Sequence, residues 1–163
     1  MTLTAEEATR LMIEDYQRAT PAEQRRRWAF ARHGDAHFEP APRTIEELLP
    51  YAAEARKRFE QRSIPLNFLE ELYTAYNPVP DIKTFIAQAM KHFPRGSCGV
   101  AGTYLQRIIG RGTITQGTFN DEPHTVLRLD DLIIDITADQ YNGPRIYVGP
   151  ITPPWTIPTP KHQ

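Results

Sequence analysis

The sequence predicts an α+β fold, with helices in its first part and a small antiparallel sheet near its end. Up to residue 93, apolar side chains recur at spacings of three and four between proline-containing breaks, as in amphipathic helices. One more apolar helix is predicted over 98–109, ended by Gly110. The segments that follow are short, rich in β-branched residues and separated by turn residues. Because helices and strands occupy separate parts of the chain, we expect one buried helix packed on a small antiparallel sheet, preceded by a helical part.

Capping residues mark the starts of two helices. Thr4 is followed three residues later by Glu7, which predicts a capping box. Thr44 and Glu47 have the same relation and predict a second capped helix, in which Pro50 indicates a kink or a late start. Helices are predicted over 4–19, 22–32, 65–76 and 81–92 and from 44 onwards, with a loop over 33–43.

The strands begin after Gly110. Asp130-Asp131 is predicted to be a tight turn that joins two strands into an antiparallel hairpin. After Pro150 the tail is too rich in proline for regular structure, and we expect either a packed extended arm or disordered chain. Trp155 would either anchor this tail to the core or lie exposed in a binding motif. The predicted strands cover 113–118, 125–129, 132–136 and 145–148.

Composition excludes several classes of protein. The 163 residues suit one domain in three parts, a helical part over 1–93 packed on a core over 94–150, and a proline-rich tail over 151–163. A net charge of −1 with 40% hydrophobic residues argues against a disordered chain and gives no support to nucleic-acid binding. No apolar run approaches the roughly 20 residues that cross a bilayer, and the start MTLTAEEATR is unlike a signal peptide. We therefore expect a cytoplasmic protein that binds neither nucleic acid nor membrane.

Cys98 is the single cysteine, so an intramolecular disulfide and an all-cysteine metal site are excluded. It is predicted at the first turn of a helix, immediately after a Gly-Ser turn. Unpaired backbone N–H groups and the helix dipole stabilise a thiolate at such a position. The same N–H groups can stabilise an oxyanion that develops on an attacked carbonyl.

His124 and Asp135 are predicted to face each other across the hairpin. His124 begins one strand and Asp135 ends the next, and the turn at 130–131 brings them opposite within a residue or two. Cross-strand neighbours on one face lie about 5 Å apart at Cβ, so a carboxylate there can hold an imidazole. Such an imidazole can take the proton of a thiol, while the carboxylate fixes its tautomer. A carboxylate among three isoleucines also needs a partner on energetic grounds.

The runs GSCGVAGTYLQRIIGRG and PHTVLRLDDLIIDITADQY resemble the papain-like/transglutaminase-like cysteine hydrolase superfamily over about residues 96–149. The resemblance implies Cys98 as the nucleophile, His124 as the base and Asp135 as the orienting acid. It also implies a cysteine-dependent hydrolase or acyltransferase that acts on an amide bond through an acyl-enzyme, as a protein deamidase, peptidase or amidase, without cofactor or metal. Thr125-Val126 departs from the aromatic residue that follows the histidine in many relatives.

A second departure is the missing papain-type glutamine upstream of the cysteine, where 92–97 reads HFPRGS. The second oxyanion donor is therefore unassigned by the resemblance. We expect Ser97, Gly99 and Gln140 to contribute to substrate or oxyanion binding. A protein or peptide substrate is expected, and because deamidase toxins and delivered effectors use such cores, the resemblance admits delivery into another cell and a cognate inhibitor.

Two rival interpretations stand beside the enzyme. Cys98 taken alone would be an inert buried residue, and His124 after Pro123 could be a surface residue at a strand edge. The chain would then be a non-catalytic protein-binding module with a structural Cys and His–Asp pair. His33 and His37 are four apart and could bind zinc, but Gly34 predicts a loop there, and metal analysis would decide this.

Overall fold

The computed structural model describes residues 4–18 and 42–158. Within them the chain has mixed helix and sheet, with the helices first, and this confirms the predicted α+β class. The helices are α1 (Ala5–Arg18), α2 (Ile45–Gln61), α3 (Leu66–Tyr76), α4 (Ile82–Lys91) and α5 (Cys98–Ile109). The helix predicted over 22–32, most of the loop over 33–43, and the histidines His33 and His37 lie outside the described residues.

The strands form one antiparallel sheet in the order β4-β3-β2-β1-β5. Two-residue turns join β1 to β2 and β2 to β3, with positive φ at Asn120, Asp121 and Asp130. The predicted turn at 130–131 is thereby confirmed. The strands are β1 (Thr113–Phe119), β2 (Glu122–Leu129), β3 (Leu132–Asp135), β4 (Tyr147–Pro150) and β5 (Trp155–Thr156), with a 3₁₀ turn (Ala138–Tyr141) between β3 and β4.

Helix α5 is the centre of the core, and every residue from 100 to 109 is buried. On one side its Tyr104 packs between Phe59 of α2 and Phe68 of α3, with ring centroids 5.3 and 6.1 Å away. On the other side α5 packs on the sheet at Gly102, where a Cβ would lie 3.4 Å from Ile114 of β1, in ordinary van der Waals contact. One cluster of buried residues therefore joins the first helices to the sheet.

The capping boxes at the starts of α1 and α2 are both present. Thr4 and Glu7 exchange two hydrogen bonds of 3.1 and 3.2 Å, and Thr44 and Glu47 exchange two of 3.1 Å. Pro50 does not delay the start of α2, because the helix is continuous from Ile45 through Gln61. The capped first turn supplies enough hydrogen bonds for the helix to begin before the proline.

The tail after Pro150 differs from the sequence prediction of no regular structure. Trp155 and Thr156 form β5, which pairs with the end of β1 at Phe119 and Thr118. The Trp155 side chain is buried, so the first of its two predicted roles, anchoring the tail to the core, is the one observed. Burial of a large aromatic ring supplies the free energy that proline-rich sequence alone lacks. No helix among the described residues has both the length and the apolar composition to cross a membrane.

Candidate active site

Cys98 begins α5, as predicted, and its side chain is partly exposed. The preceding turn is fixed by Ser97, whose buried hydroxyl donates to the carbonyl oxygens of Ala89 at 2.6 Å and Arg95 at 3.3 Å. The backbone N–H of Ala101 donates to Ser97 O at 2.8 Å and closes the first turn of the helix. The thiol thus lies at a helix N-terminus that the hydrogen bonds of the buried Ser97 hydroxyl hold in place.

The sheet register brings His124 and Asp135 to one face. In the hairpin of β2 and β3, Leu127 is opposite Ile134 and Leu129 is opposite Leu132, which makes His124 and Asp135 diagonal neighbours. His124 Nε2 and Asp135 Oδ2 are 2.6 Å apart, and both side chains are almost fully buried. His124 is therefore not the exposed strand-edge residue of the rival interpretation, because β2 lies inside the sheet between β1 and β3.

Asp135 accepts hydrogen bonds from every side. Its Oδ2 accepts from Trp155 Nε1 at 2.8 Å as well as from His124, and its Oδ1 accepts from the backbone N–H of Thr137 at 2.9 Å. The Thr137 hydroxyl is 3.4 Å from the same Oδ1. A carboxylate only accepts, so His124 Nε2 carries a proton and Nδ1 is the ring nitrogen left to face the thiol.

Cys98 and His124 each shift the pKa of the other. Burial alone raises the pKa of the Cys98 thiol, but hydrogen bonds from His124 and from the backbone N–H of Thr125, with the charge of His124, outweigh burial and lower it. Burial lowers the pKa of His124, but hydrogen bonds and charge from Asp135 and Cys98 raise it to about 9. Both shifts favour a thiolate beside an imidazolium, which is the form of a nucleophilic cysteine.

Gln140 lies beside this pair, in the 3₁₀ turn after β3. Its Oε1 accepts from the backbone N–H of Gly96 at 3.3 Å, which directs the amide nitrogen the other way. That nitrogen is 3.5 Å from His124 Nδ1, a long contact across which it can donate only while Nδ1 carries no proton. The Gln140 amide therefore brings N–H donors to the Cys98 side of the imidazole.

Aromatic rings enclose the imidazole. Tyr141 meets the His124 ring edge to face at 5.6 Å, and Phe119 does so at 6.2 Å. The Tyr141 hydroxyl donates to the carbonyl oxygen of Pro123 at 3.0 Å and fixes that ring. Trp155 packs edge to face on Phe119 at 5.1 Å. These rings exclude water from the His124–Asp135 contact and so strengthen it.

The other two predicted binding residues differ in what they offer. The Ser97 hydroxyl donates to two backbone carbonyls, and the Ser97 N–H and carbonyl are also paired, with Pro94 O and with the N–H of Ala101. At Gly99 a Cβ would lie 3.0 Å from Tyr73 Cε1, so the glycine lets this ring pack close to the start of α5. The substrate-binding roles of Ser97 and Gly99 stay predictions.

No metal site is found among residues 4–18 and 42–158, where no three His, Cys, Asp or Glu side chains lie close enough to hold an ion. A cavity of about 260 Å³ lies apart from the triad, between α2, α3 and α4, with Phe59 and Met90 among its lining residues. None of Cys98, His124 and Asp135 lines that cavity.

Sequence reasoning does not find several residues of this site, among them Thr125, Thr137 and Tyr141. Thr125 departs from the resemblance, and its place directly after His124 is the signal by which it could be found. Thr137 and Tyr141 lie in the IDITADQY segment, for which the resemblance implies no role at these two positions.

Comparison of the chain with protein-family models, with curated proteins and with solved structures finds no match.

Proposed function

We propose that this protein is a cysteine-dependent hydrolase or acyltransferase that acts on an amide bond through an acyl-enzyme on Cys98. The observation that carries the proposal is the division of the His124 ring: Nε2 is bound to a buried carboxylate, and the ring lies close enough to Cys98, at a helix N-terminus, for each to shift the pKa of the other. This division gives each member of a nucleophile–base–acid triad a distinct role. The resemblance to papain-like and transglutaminase-like hydrolases supports the same roles.

In the first step the Cys98 thiolate attacks the amide carbonyl carbon. An S–C bond forms, and the carbonyl π electrons move to the oxygen. The backbone N–H of Cys98 and the side-chain N–H of Gln140 donate to this oxyanion, and removal of one such donor typically costs about 10²–10³ in rate. The oxyanion then collapses, the C–N bond breaks, and the proton on His124 Nδ1 passes to the leaving nitrogen.

In the second step His124 acts as a base. A water molecule loses a proton to Nδ1 and attacks the thioester carbon, and the C–S bond breaks to give the carboxylic acid and the thiolate. An amine in place of water gives transfer instead of hydrolysis. We propose a protein or peptide substrate, with a glutamine side chain and a peptide bond as the two amides to test.

The first test is the rate of iodoacetamide alkylation of Cys98 against pH. A free thiol has a pKa of about 8.5, so labelling that is already fast at pH 6 would identify an activated thiolate. His124→Gln should remove the fast labelling at low pH. His92→Gln is the matched control, because His92 is exposed at the C-cap of α4 and takes no part in the triad.

Substrate tests follow with a mixture of glutamine-containing peptides, scored for ammonia release and for cleavage, with Cys98→Ala as the blank. Labelling of the wild type only near the ordinary thiol pKa would contradict the enzyme. That result would favour the alternative, a protein-binding module in which Cys98 and the His124–Asp135 pair are structural.

A further inference from the structure

We propose that the partly buried ion pair between Arg56 and Asp139 is a positioning device for the candidate active site, which fixes the segment 136–140 against the loop 93–97. This inference rests on the proposed function, because it assigns to Arg56 and Asp139 the task of holding the donors that serve Asp135 and Cys98. Neither residue contacts the reacting atoms.

Arg56 reaches from α2 to the end of β3 and is almost fully buried. Its Nη1 donates to Ile136 O at 2.8 Å and to Asp139 Oδ1 at 2.7 Å, and its Nη2 donates to Asp139 Oδ2 at 2.8 Å. Its Nε donates to Glu60 at 3.1 Å. One rigid guanidinium thus binds a backbone carbonyl and a side chain three residues apart, and so fixes the turn between them.

The held turn contains the groups that complete the site. Thr137, directly after Ile136, gives its backbone N–H and hydroxyl to Asp135 Oδ1. Gln140, directly after Asp139, brings its amide nitrogen to His124 Nδ1. A shift of this turn would therefore act on two donors at once. It would weaken the hydrogen bond from Thr137 to Asp135, and it would move the Gln140 amide away from the Cys98 side of the imidazole.

The same guanidinium contacts the segment that leads to Cys98. Arg56 lies over the ring of Phe93, with its Cζ 4.9 Å from the ring centroid. Phe93 in turn stacks on Phe59 of α2 at 5.1 Å with parallel planes. From Phe93 the chain runs through Gly96, which donates to Gln140 Oε1, to Cys98. Arg56 therefore touches both segments that meet at the thiol.

The Arg56 guanidinium is almost fully buried while Asp139 is partly exposed, so pairing them gives little net stability. The desolvation of two charges can exceed their attraction, and apolar residues of similar volume often stabilise a core as well or better. What an apolar pair cannot do is fix direction, whereas a planar guanidinium on both oxygens of a carboxylate sets the orientation of the turn. A lysine supplies a point charge and cannot bind Ile136 O and both oxygens of Asp139 together.

The test uses the full chain, the single variants Arg56→Lys and Asp139→Asn, the double variant that combines them, and the control Arg58→Lys. Arg58 lies on the same helix and pairs with Glu54 at 2.7 Å, away from the 136–140 turn. The measured quantity is the pH midpoint of Cys98 alkylation, at a temperature well below unfolding. A merely structural role would lower the melting temperature and leave this midpoint in place.

We expect the midpoint to rise by about half a pH unit or more in Arg56→Lys and in Asp139→Asn, since a loosened Asp135 stabilises the imidazolium less. The double variant should show the shift of one single variant, not the sum of two, because both act through one contact. Arg58→Lys should keep the wild-type midpoint. Asp139→Asn keeps the proposal testable if Arg56→Lys does not fold, because Asp139 is partly exposed.

Unchanged midpoints in Arg56→Lys and Asp139→Asn, with an activated thiol in the wild type, would overturn the positioning role and leave the proposed function standing. An ordinary thiol midpoint in the wild type would overturn both. The two failures are therefore distinguished by the wild-type curve alone.

Discussion

The two sides of the His124 ring are built differently. On the Nε2 side, Asp135 is buried and accepts from His124, Thr137 and Trp155 at 2.6 to 2.9 Å. On the Nδ1 side, Cys98 is partly exposed and Gln140 is held by contacts of 3.3 and 3.5 Å. We call these the anchored side and the reactive side.

The difference teaches that rigidity and reactivity are supplied by separate groups. On the anchored side both carboxylate oxygens of Asp135 already accept hydrogen bonds, so a new donor could bind there only by displacing one of the present donors. On the reactive side the amide of Gln140 and the N–H groups at the start of α5 have capacity for a substrate oxygen. A preorganised imidazole next to spare donors is the arrangement that acyl transfer needs.

The largest effect is expected from Asp135→Asn, on the anchored side. The amide would place N–H₂ where the carboxylate now accepts, so a buried donor would lose its partner at a cost of about 1–3 kcal/mol in the free energy of unfolding. Loss of the correct tautomer should also reduce turnover by about 10³- to 10⁴-fold. Chemical denaturation and turnover measure the two losses.

If Asp135→Asn loses both stability and turnover, the result does not by itself distinguish a catalytic role from a structural one, because the same carboxylate oxygens would have both roles. Cys98→Ser is the paired control, since it should abolish turnover while the free energy of unfolding changes little. Full turnover in Asp135→Asn would contradict the orienting role.

The second effect is expected from Gln140→Ala, on the reactive side. Its hydrogen bonds are long and its side chain is partly exposed, so the melting temperature should change little. Loss of an oxyanion donor should lower kcat by about 10²-fold with a small change in KM. Gln116→Ala, on the exposed part of β1, is the matched control. Equal kcat in both variants would remove Gln140 from the site.

The third prediction concerns the pH at which His124 loses its proton. Desolvation lowers its pKa, but Asp135 and Cys98 outweigh this and raise the pKa from 6.5 to about 9. The raised value means that this group's stabilisation of the fold is fully present below pH 6.5 and is lost as the pH rises through about 9. Nitrogen NMR of the ring should show a midpoint near 9 in the wild type.

In Cys98→Ala the same midpoint should fall, because the thiolate no longer contributes to the shift. The titratable groups that face the ring from other elements are Asp135, Cys98 and Tyr141. A wild-type midpoint at the ordinary histidine value would show that the two sides of the ring are not coupled.

The smallest effect is expected from Trp155→Phe, at the edge of the anchored side. Phenylalanine keeps much of the packing on Phe119 but has no N–H for Asp135 Oδ2. The free energy of unfolding should fall by about 1–2 kcal/mol, and turnover by a few-fold, since His124 and Thr137 still bind the carboxylate. Denaturation and turnover of Trp155→Phe measure both. A loss as large as that of Asp135→Asn would mean that the tryptophan, not the histidine, is the main partner of the carboxylate.

Local sequence patterns predicted most elements of the described fold. The Thr-x-x-Glu capping boxes that start α1 and α2 are signals contained within four residues. The same is true of Gly110, which ends α5 at the predicted residue. The turn at 130–131 set the register of β2 and β3, and so placed His124 and Asp135 on one face. Strand β5 was missed, since its pairing with β1 depends on residues far apart in the chain.

The sequence by itself determined the order of the elements, the helix start at Cys98, and the hairpin that pairs His124 with Asp135. Each of these depends on backbone propensity and periodicity over short distances. Tertiary structure alone decided that Trp155 binds Asp135, that Thr125 lies near enough to Cys98 to help lower the pKa of its thiol, and that Arg56 binds the turn after β3. Those contacts join elements whose relative positions follow from packing of the whole core, and no local pattern encodes them.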